Sequence, residues 1–291
     1  QRLFEEGVEL TGKGYFYHPN LAEWFASIRA GLSQELITVN DTEHKTNGTL
    51  LGYNFSNTFL KEKLVSVRVF ANQNQSIRDQ NFAASARAEN QRLGAEVTLK
   101  GLFPASLLVE TGTNTLTSER RNVDASVTHM NFKITDKRYS NWLTELEVDR
   151  EDTSETSIFF SPGDTAGSTT DQSEVVDEVN LSNTWRFGPG KNKHSLTGSA
   201  NLIDRKGFFT TKRTVADQRL ELMHGKTFRS FYGAGFSSNE TEAVTEEIRN
   251  GEIGIMKSFY KSLDVTLRAT GRDRTIGEAE NKVIGASSTQ T

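Results

Sequence analysis

Odd and even positions along this chain differ in chemistry over long stretches, and that property restricts the fold more than any other. Trp24, Ala26, Ile28, Ala30 and Leu32 alternate with Phe25, Ser27, Arg29 and Gly31. Leu51, Tyr53, Phe55 and Phe59 oppose Gly52, Asn54, Ser56 and Thr58, and Val65, Val67, Val69 and Ala71 oppose Ser66, Arg68, Phe70 and Asn72. Leu93, Ala95, Val97 and Leu99 do the same against Arg92, Gly94, Glu96 and Thr98. The pattern persists in Trp142, Leu146 and Val148 against Glu145, Glu147 and Asp149, and in Leu263, Val265, Leu267 and Ala269 against Asp264, Thr266, Arg268 and Thr270. A two-residue period belongs to a strand whose faces meet different surroundings.

A coarse count gives about fourteen strands, many of about 10 residues or more, the length a tilted strand needs to cross a bilayer. Strands of soluble sandwiches are nearer 5–6 residues. A register slip of one residue would turn Arg68 or Glu145 into lipid, so the alternation itself fixes the pairing. An arginine or lysine at the bilayer midplane costs roughly 2–4 kcal/mol; the apolar faces named above carry no charge.

Short turns flanked by aromatic residues separate these segments. They include Tyr15 to Asn20, Phe59 to Lys63, Leu102 to Ala105, Asp136 to Trp142, Trp185 to Lys193, Lys226 to Arg229 and Phe259 to Ser262. Between them lie polar stretches such as Val39 to Asn47 and Thr153 to Ser173, expected to be loops. Tight turns and aromatics at one end with long loops at the other describe an antiparallel, up-and-down transmembrane β-barrel. Its interface aromatics would be Tyr15, Tyr17, Trp24, Phe59, Phe103, Tyr139, Trp142, Trp185, Phe187, Phe228, Phe259 and Tyr260. Its lumen-facing charges would be Arg29, Arg68, Arg92, Glu96, Glu145, Glu147, Arg186, Asp264 and Arg268. Both signs occur, which predicts a hydrated interior without strong ion selectivity. No composition break divides the chain, so residues 1–291 are expected to form one barrel domain with a polar outer loop around 151–177. Residues 20–36 fit helical spacing too, with Asn20 as a cap, but the upstream strand and the Pro19-Asn20 turn favour a hairpin.

Composition agrees. Hydrophobic residues make up 35% of the 291 and mean hydropathy is -0.55, low for a chain this long with a dry core. A barrel with a wet interior needs apolar side chains on its outer band alone. Net charge is -4 with both signs interspersed, so there is no basic footprint for nucleic acid. The absence of cysteine excludes disulfides, thiolate metal sites and cysteine nucleophiles. No run of about 18 apolar residues marks a membrane helix. The sequence opens at Gln1 with no apolar signal region, and an export signal is expected to have been removed or to lie outside it.

Catalytic and metal motifs are weak. His18, His44, His129, His194 and His224 show no ligand spacing, and Asp124, Ser126 and His129 alternate along one strand, which spoils their convergence. Gly225-Lys226-Thr227 lacks the leading glycine of a phosphate loop, since Leu220 stands there. Asp164, Asp171, Glu174, Asp177 and Glu178 could ligate calcium, but their spacing matches no calcium loop. No cofactor, metal or catalytic residue is expected.

Leu51-Gly52-Tyr53-Asn54-Phe55-Ser56, Val67 to Gln73, Leu181 to Gly188 and Phe259 to Leu263 give the chain a rhythm that resembles large, porin-like outer-membrane β-barrels of diderm bacteria. The resemblance implies a bacterial outer-membrane location, contact with outer-membrane lipid, and a role as passive pore, export conduit or sheath around a protein partner. It carries no functional residue over. Such barrels commonly finish in an aromatic terminal strand, whereas this chain ends Ala286-Ser287-Ser288-Thr289-Gln290-Thr291, so a fragment of a longer barrel is expected. The alternatives are a structural or adhesive barrel whose loops bind a partner, and a secreted soluble β-sandwich or solenoid.

Overall fold

The computed structural model describes residues 2–39, 42–80, 83–118, 121–160, 167–188, 194–259, 263–277 and 279–290. They form fifteen strands: β1 Arg2–Tyr15, β2 Ala22–Val39, β3 Thr42–Phe59, β4 Val65–Gln80, β5 Ala83–Leu99, β6 Ala105–Thr117, β7 Arg121–Asp136 and β8 Trp142–Phe159, followed by β9 Ser168–Phe187, β10 His194–Lys206, β11 Thr211–Met223, β12 Phe228–Thr241, β13 Thr245–Phe259, β14 Leu263–Ile276 and β15 Ala279–Gln290. Each pairs with its sequence neighbours, in the order β1 to β15 without a crossover. This is the all-β, antiparallel, up-and-down connectivity of a transmembrane β-barrel. The ambiguous segment 20–36 lies mostly in β2, where it pairs with β1 on one side and β3 on the other. Its helical spacing lost to two ladders of cross-strand hydrogen bonds.

The expected long loops are mostly strand. Residues 42–47 belong to β3, 151–159 to β8 and 168–177 to β9. These stretches are polar on both faces, so they lose the hydrophobic alternation that marks a strand. Threonines 153, 156, 169 and 170 nevertheless favour extended backbone. The strands run 12 to 20 residues, beyond the ~10 that a bilayer requires.

Burial is inverted relative to a water-soluble fold. Among the described residues the buried apolar side chains are Ala22, Leu50, Ala86 and Phe231 alone, while Ile28 is 61% and Leu32 64% exposed. A chain of this length cannot be held together by so small a dry core. In water, an exposed apolar face of this extent would aggregate, and an apolar solvent around it removes that cost.

The chain divides into two compact units: Gln1–Lys100 with Ser106–Asn131 and Glu151–Glu174, and Gly101–Ala105 with Phe132–Arg150 and Val175–Thr291. In the first, one row across β1–β5 reads Gly12, Ala26, Phe55, Ala71, Leu93. In the second, a row across β9–β15 reads Trp185, Leu196, Leu220, Tyr232, Ile253, Ala269, Ala286. The next row of that unit, on the opposite face, reads Thr184, Thr197, Arg219, Gly233, Glu252, Thr270, Gly285.

Candidate functional site

The polar face is where this chain concentrates its chemistry. All the charges selected from sequence lie on it, because each alternates with the apolar face of its own strand. In the first unit Arg29 is in register with Glu9, whose carboxylate accepts a 2.6 Å hydrogen bond from the Ser27 hydroxyl. Arg68 lies 3.8 Å from Glu96 across the β4–β5 ladder. Arg92 approaches Glu110 to 3.7 Å, and His129 Nδ1 lies 3.4 Å from the same carboxylate. In the second unit Glu145 and Glu147 share Lys133, Arg186 stands in register with Ser195, and Asp264 stands opposite Ser258. Arg268 pairs with Glu252.

Sequence reasoning missed Glu110, Lys133 and Glu252, which pair with Arg92, with Glu145 and Glu147, and with Arg268, and it missed Arg219, a second cation on Glu252. It also missed two stacked phenylalanines on this face. Phe70 lies over Gly94, where an added Cβ would collide with the Phe70 ring and sit 2.9 Å from Glu110 Cβ. Phe231 lies over Gly254, where an added Cβ would collide with the ring and meet the Leu267 carbonyl at 2.8 Å. A guanidinium covers each ring, Arg68 at 5.2 Å and Arg219 at 5.1 Å from the centroid, within cation–π range. A glycine opposite a phenylalanine was visible in sequence, but only the register brings the two together.

Glu252 is the most connected carboxylate of the second unit. It takes Arg219 at 3.4 Å and Arg268 more closely, and its side chain is only 16% exposed. Arg219 also pairs with Glu221 at 3.0 Å. Arg219, Glu252 and Arg268 line an open groove of about 570 Å³ on which Asp217, Thr270 and Arg272 also border.

The selected aromatics gather at the odd-numbered connections. Trp24 lies across Gly12 and Gly14, whose missing Cβ atoms leave room for its indole. Trp142, Trp185, Phe187 and His194 form a run of rings with centroids 5.8, 4.5 and 5.3 Å apart. Phe59 and Phe259 are exposed on the apolar face, and Phe228 has Lys257 at 6.0 Å. Phe103 and Tyr139 stand in connections, Phe103 beneath Arg138 at 4.5 Å. Tyr15 also stands at the first connection, but in register with Glu23 it lies on the polar face of β1 and not on the apolar one. Tyr17 is 96% exposed and holds a left-handed φ of 64°. Tyr260, Asp164 and the Pro189 to Lys193 turn lie outside the described residues.

Backbone bonds tie this end together. In the first unit Leu60 N–H donates to Leu21 O at 2.8 Å and Lys100 N–H to Leu64 O at 2.7 Å. In the second, Thr135 donates to Pro104, Arg186 to Asn141 and Ser258 to Thr227. Lys61 donates to Glu23 at 2.7 Å, and that hydrogen bond, with the carboxylate charge, raises the lysine above its usual range. The contribution of the raised lysine is therefore present at neutral pH and is lost as pH rises through the raised lysine value.

No group of histidine, aspartate and glutamate among the described residues could hold a metal ion. Asp171 accepts a 2.7 Å bond from Thr156, Asp177 pairs with Arg150, and Glu178 accepts from Asn180 and Asn201, so the acidic run is dispersed among separate partners. His129 faces away from Asp124 and Ser126 by strand alternation.

No family model matches this chain, and no curated protein matches it. Among solved structures it is similar to outer-membrane expressed OmpT of Vibrio cholerae, at 10% identity over 92% of this chain and 98% of that one, with a TM-score of 0.35. It is similar to the outer membrane transporter YddB from Escherichia coli at 8% identity over 99% of this chain and 61% of that one, TM-score 0.45. The Pseudomonas putida toluene transporter TodX gives 10% identity, 94% and 90% coverage and a TM-score of 0.32. At such identities and scores these proteins assign no residue here.

Proposed function

We propose that the chain is the wall of a bacterial outer-membrane β-barrel and that its polar face lines a water-filled passage for hydrophilic solutes or an exported polymer. The observation that carries this reading is the opposition of adjacent rows: Trp185 to Ala286 wholly apolar, and Thr184 to Gly285 polar with a paired charge at its centre. The first row suits acyl chains, where each buried large side chain contributes about 1.5–3 kcal/mol. The second suits water, with its charges ion-paired. The aromatics at the odd-numbered connections suit a headgroup boundary, where an amphipathic ring is apolar at one end and wet at the other. Tyr17 fits that role. A left-handed non-glycine residue costs about 1–2 kcal/mol, and a fully exposed tyrosine returns nothing in water.

On this reading the protein performs no covalent chemistry. Solutes cross by diffusion, filtered by width and lining charge. A loop-borne adhesive role is less well supported, because the stretches that would form long loops are strands. A soluble sandwich would need a dry core that the described residues lack.

Reconstitution of the full natural protein into planar bilayers tests the proposal. Stepwise ion conductance is expected. Leu220→Arg, which turns a charge into lipid at a cost of roughly 2–4 kcal/mol, should lower insertion yield, whereas Thr197→Arg on the opposite face should not. Equal tolerance of both substitutions, or sealed bilayers at all protein doses, would reject the passage.

A further inference from the structure

We infer that Glu252 sets the charge preference of the groove in the second unit by holding Arg219 and Arg268 together, and that Gly233 and Gly254 are the backbone positions that let it do so. This deepens the passage reading and rests on it for its effect on transport; the geometry of the cluster stands without it.

Arg219, Gly233 and Glu252 occupy consecutive places in one cross-strand row. The arginine and the glutamate are thus two strands apart, on the order of 10 Å between backbones at the normal strand spacing. They meet because nothing rises from the strand between them. A Cβ at Gly233 would lie 2.6 Å from Glu252 Cγ and 2.9 Å from its Oε1. One row along, Phe231 lies over Gly254 and offers its ring to Arg219, whose Cζ stands 5.1 Å from the ring centroid. Arg268 reaches Glu252 from β14, diagonally across the β13–β14 ladder, where Glu252 is in register with Thr270.

Two cations therefore share one carboxylate. Arg219 keeps Glu221 as a second partner. The groove is lined by Arg219, Arg268 and Arg272 against Asp217 and Glu252, so three guanidinium groups face two carboxylates. Glu252→Gln keeps the side chain's size and leaves three against one. The freed forks match phosphate and carboxylate geometry, and the groove becomes a site for multivalent anions.

Two readouts test this. In bilayers under a potassium chloride gradient, Glu252→Gln should raise the chloride-to-potassium permeability ratio by about threefold, more at low salt, as expected for one unscreened charge near the path. Titration of the detergent-held protein with inorganic tripolyphosphate should show about threefold tighter binding than wild type, with a steeper salt dependence. Glu247→Gln removes the same charge from the opposite face, where Glu247 pairs with Arg249 at 2.9 Å, and should change neither quantity. Arg219→Gln with Arg268→Gln should shift both in the opposite sense, which keeps the test decisive should Glu252→Gln fail to fold. A wild-type protein that seals bilayers, with tripolyphosphate affinity still rising in Glu252→Gln, would reject the passage and uphold the cluster. Equal behaviour of Glu252→Gln and Glu247→Gln in both assays would overturn the inference.

Discussion

Phe70 over Gly94 and Phe231 over Gly254 use one device in two units, and their surroundings differ. In each, a phenylalanine on the polar face lies down over a glycine of the next strand and takes an arginine on its ring. Around Phe70 the ion pairs are separate and long, Arg68 with Glu96 at 3.8 Å and Arg92 with Glu110 at 3.7 Å. Around Phe231 they converge on Glu252, and the ring itself is only 8% exposed. A flat aromatic keeps a wet surface low while screening the backbone beneath it. How far charges then cluster depends on the next row: Gly233 clears a lane for Arg219, whereas the row beside Phe70 places Arg68 directly opposite its partner.

The comparison is sharpest under truncation. Phe231→Ala should cost about 3 kcal/mol, because a buried ring leaves a cavity, and Phe70→Ala, half-buried, should cost about half of that. Urea unfolding in lipid vesicles measures both, and equal costs would remove the distinction between the sites. Filling the glycines comes next. Gly254→Ala meets both the ring and a carbonyl, and should destabilise by about 2 kcal/mol through overpacking. Gly94→Ala should cost less, since the Phe70 ring has more room to rise. A larger loss at Gly94 would reverse the ranking. The smallest effect is expected at the more open ion pair: Glu96→Gln should cost no more than ~1 kcal/mol, the usual limit for solvent-accessible pairs. A greater loss in the same unfolding assay would show that the first unit also concentrates its charge energetics in one place.

Much of the sheet was legible in sequence because its two faces differ in chemistry. Ile28, Phe55, Val69 and Leu267 on one parity, with Arg29, Ser56, Arg68 and Arg268 on the other, fix both strand type and face. The short turns were legible from the aromatics beside them. Residues 151–159 and 168–177 were not, because a strand with mostly polar side chains has little hydrophobic contrast, and its serines and threonines read equally as loop. The charge partners were illegible for a different reason. Glu110 and Glu252 meet their arginines through register, and Gly233 matters only once its neighbours across two ladders are known. Parity along a strand is local information; the lateral alignment of strands is not.

The strands continue past the apolar rows at the end away from the aromatic turns, with β2 and β3 paired out to Val39 and Thr42 and β14 and β15 out to Ile276 and Ala279. An antibody or phage approaching from that side would therefore grip ribs of pleated backbone drawn from several hairpins at once. Antisera raised against linear peptides of this region should fail on the native protein.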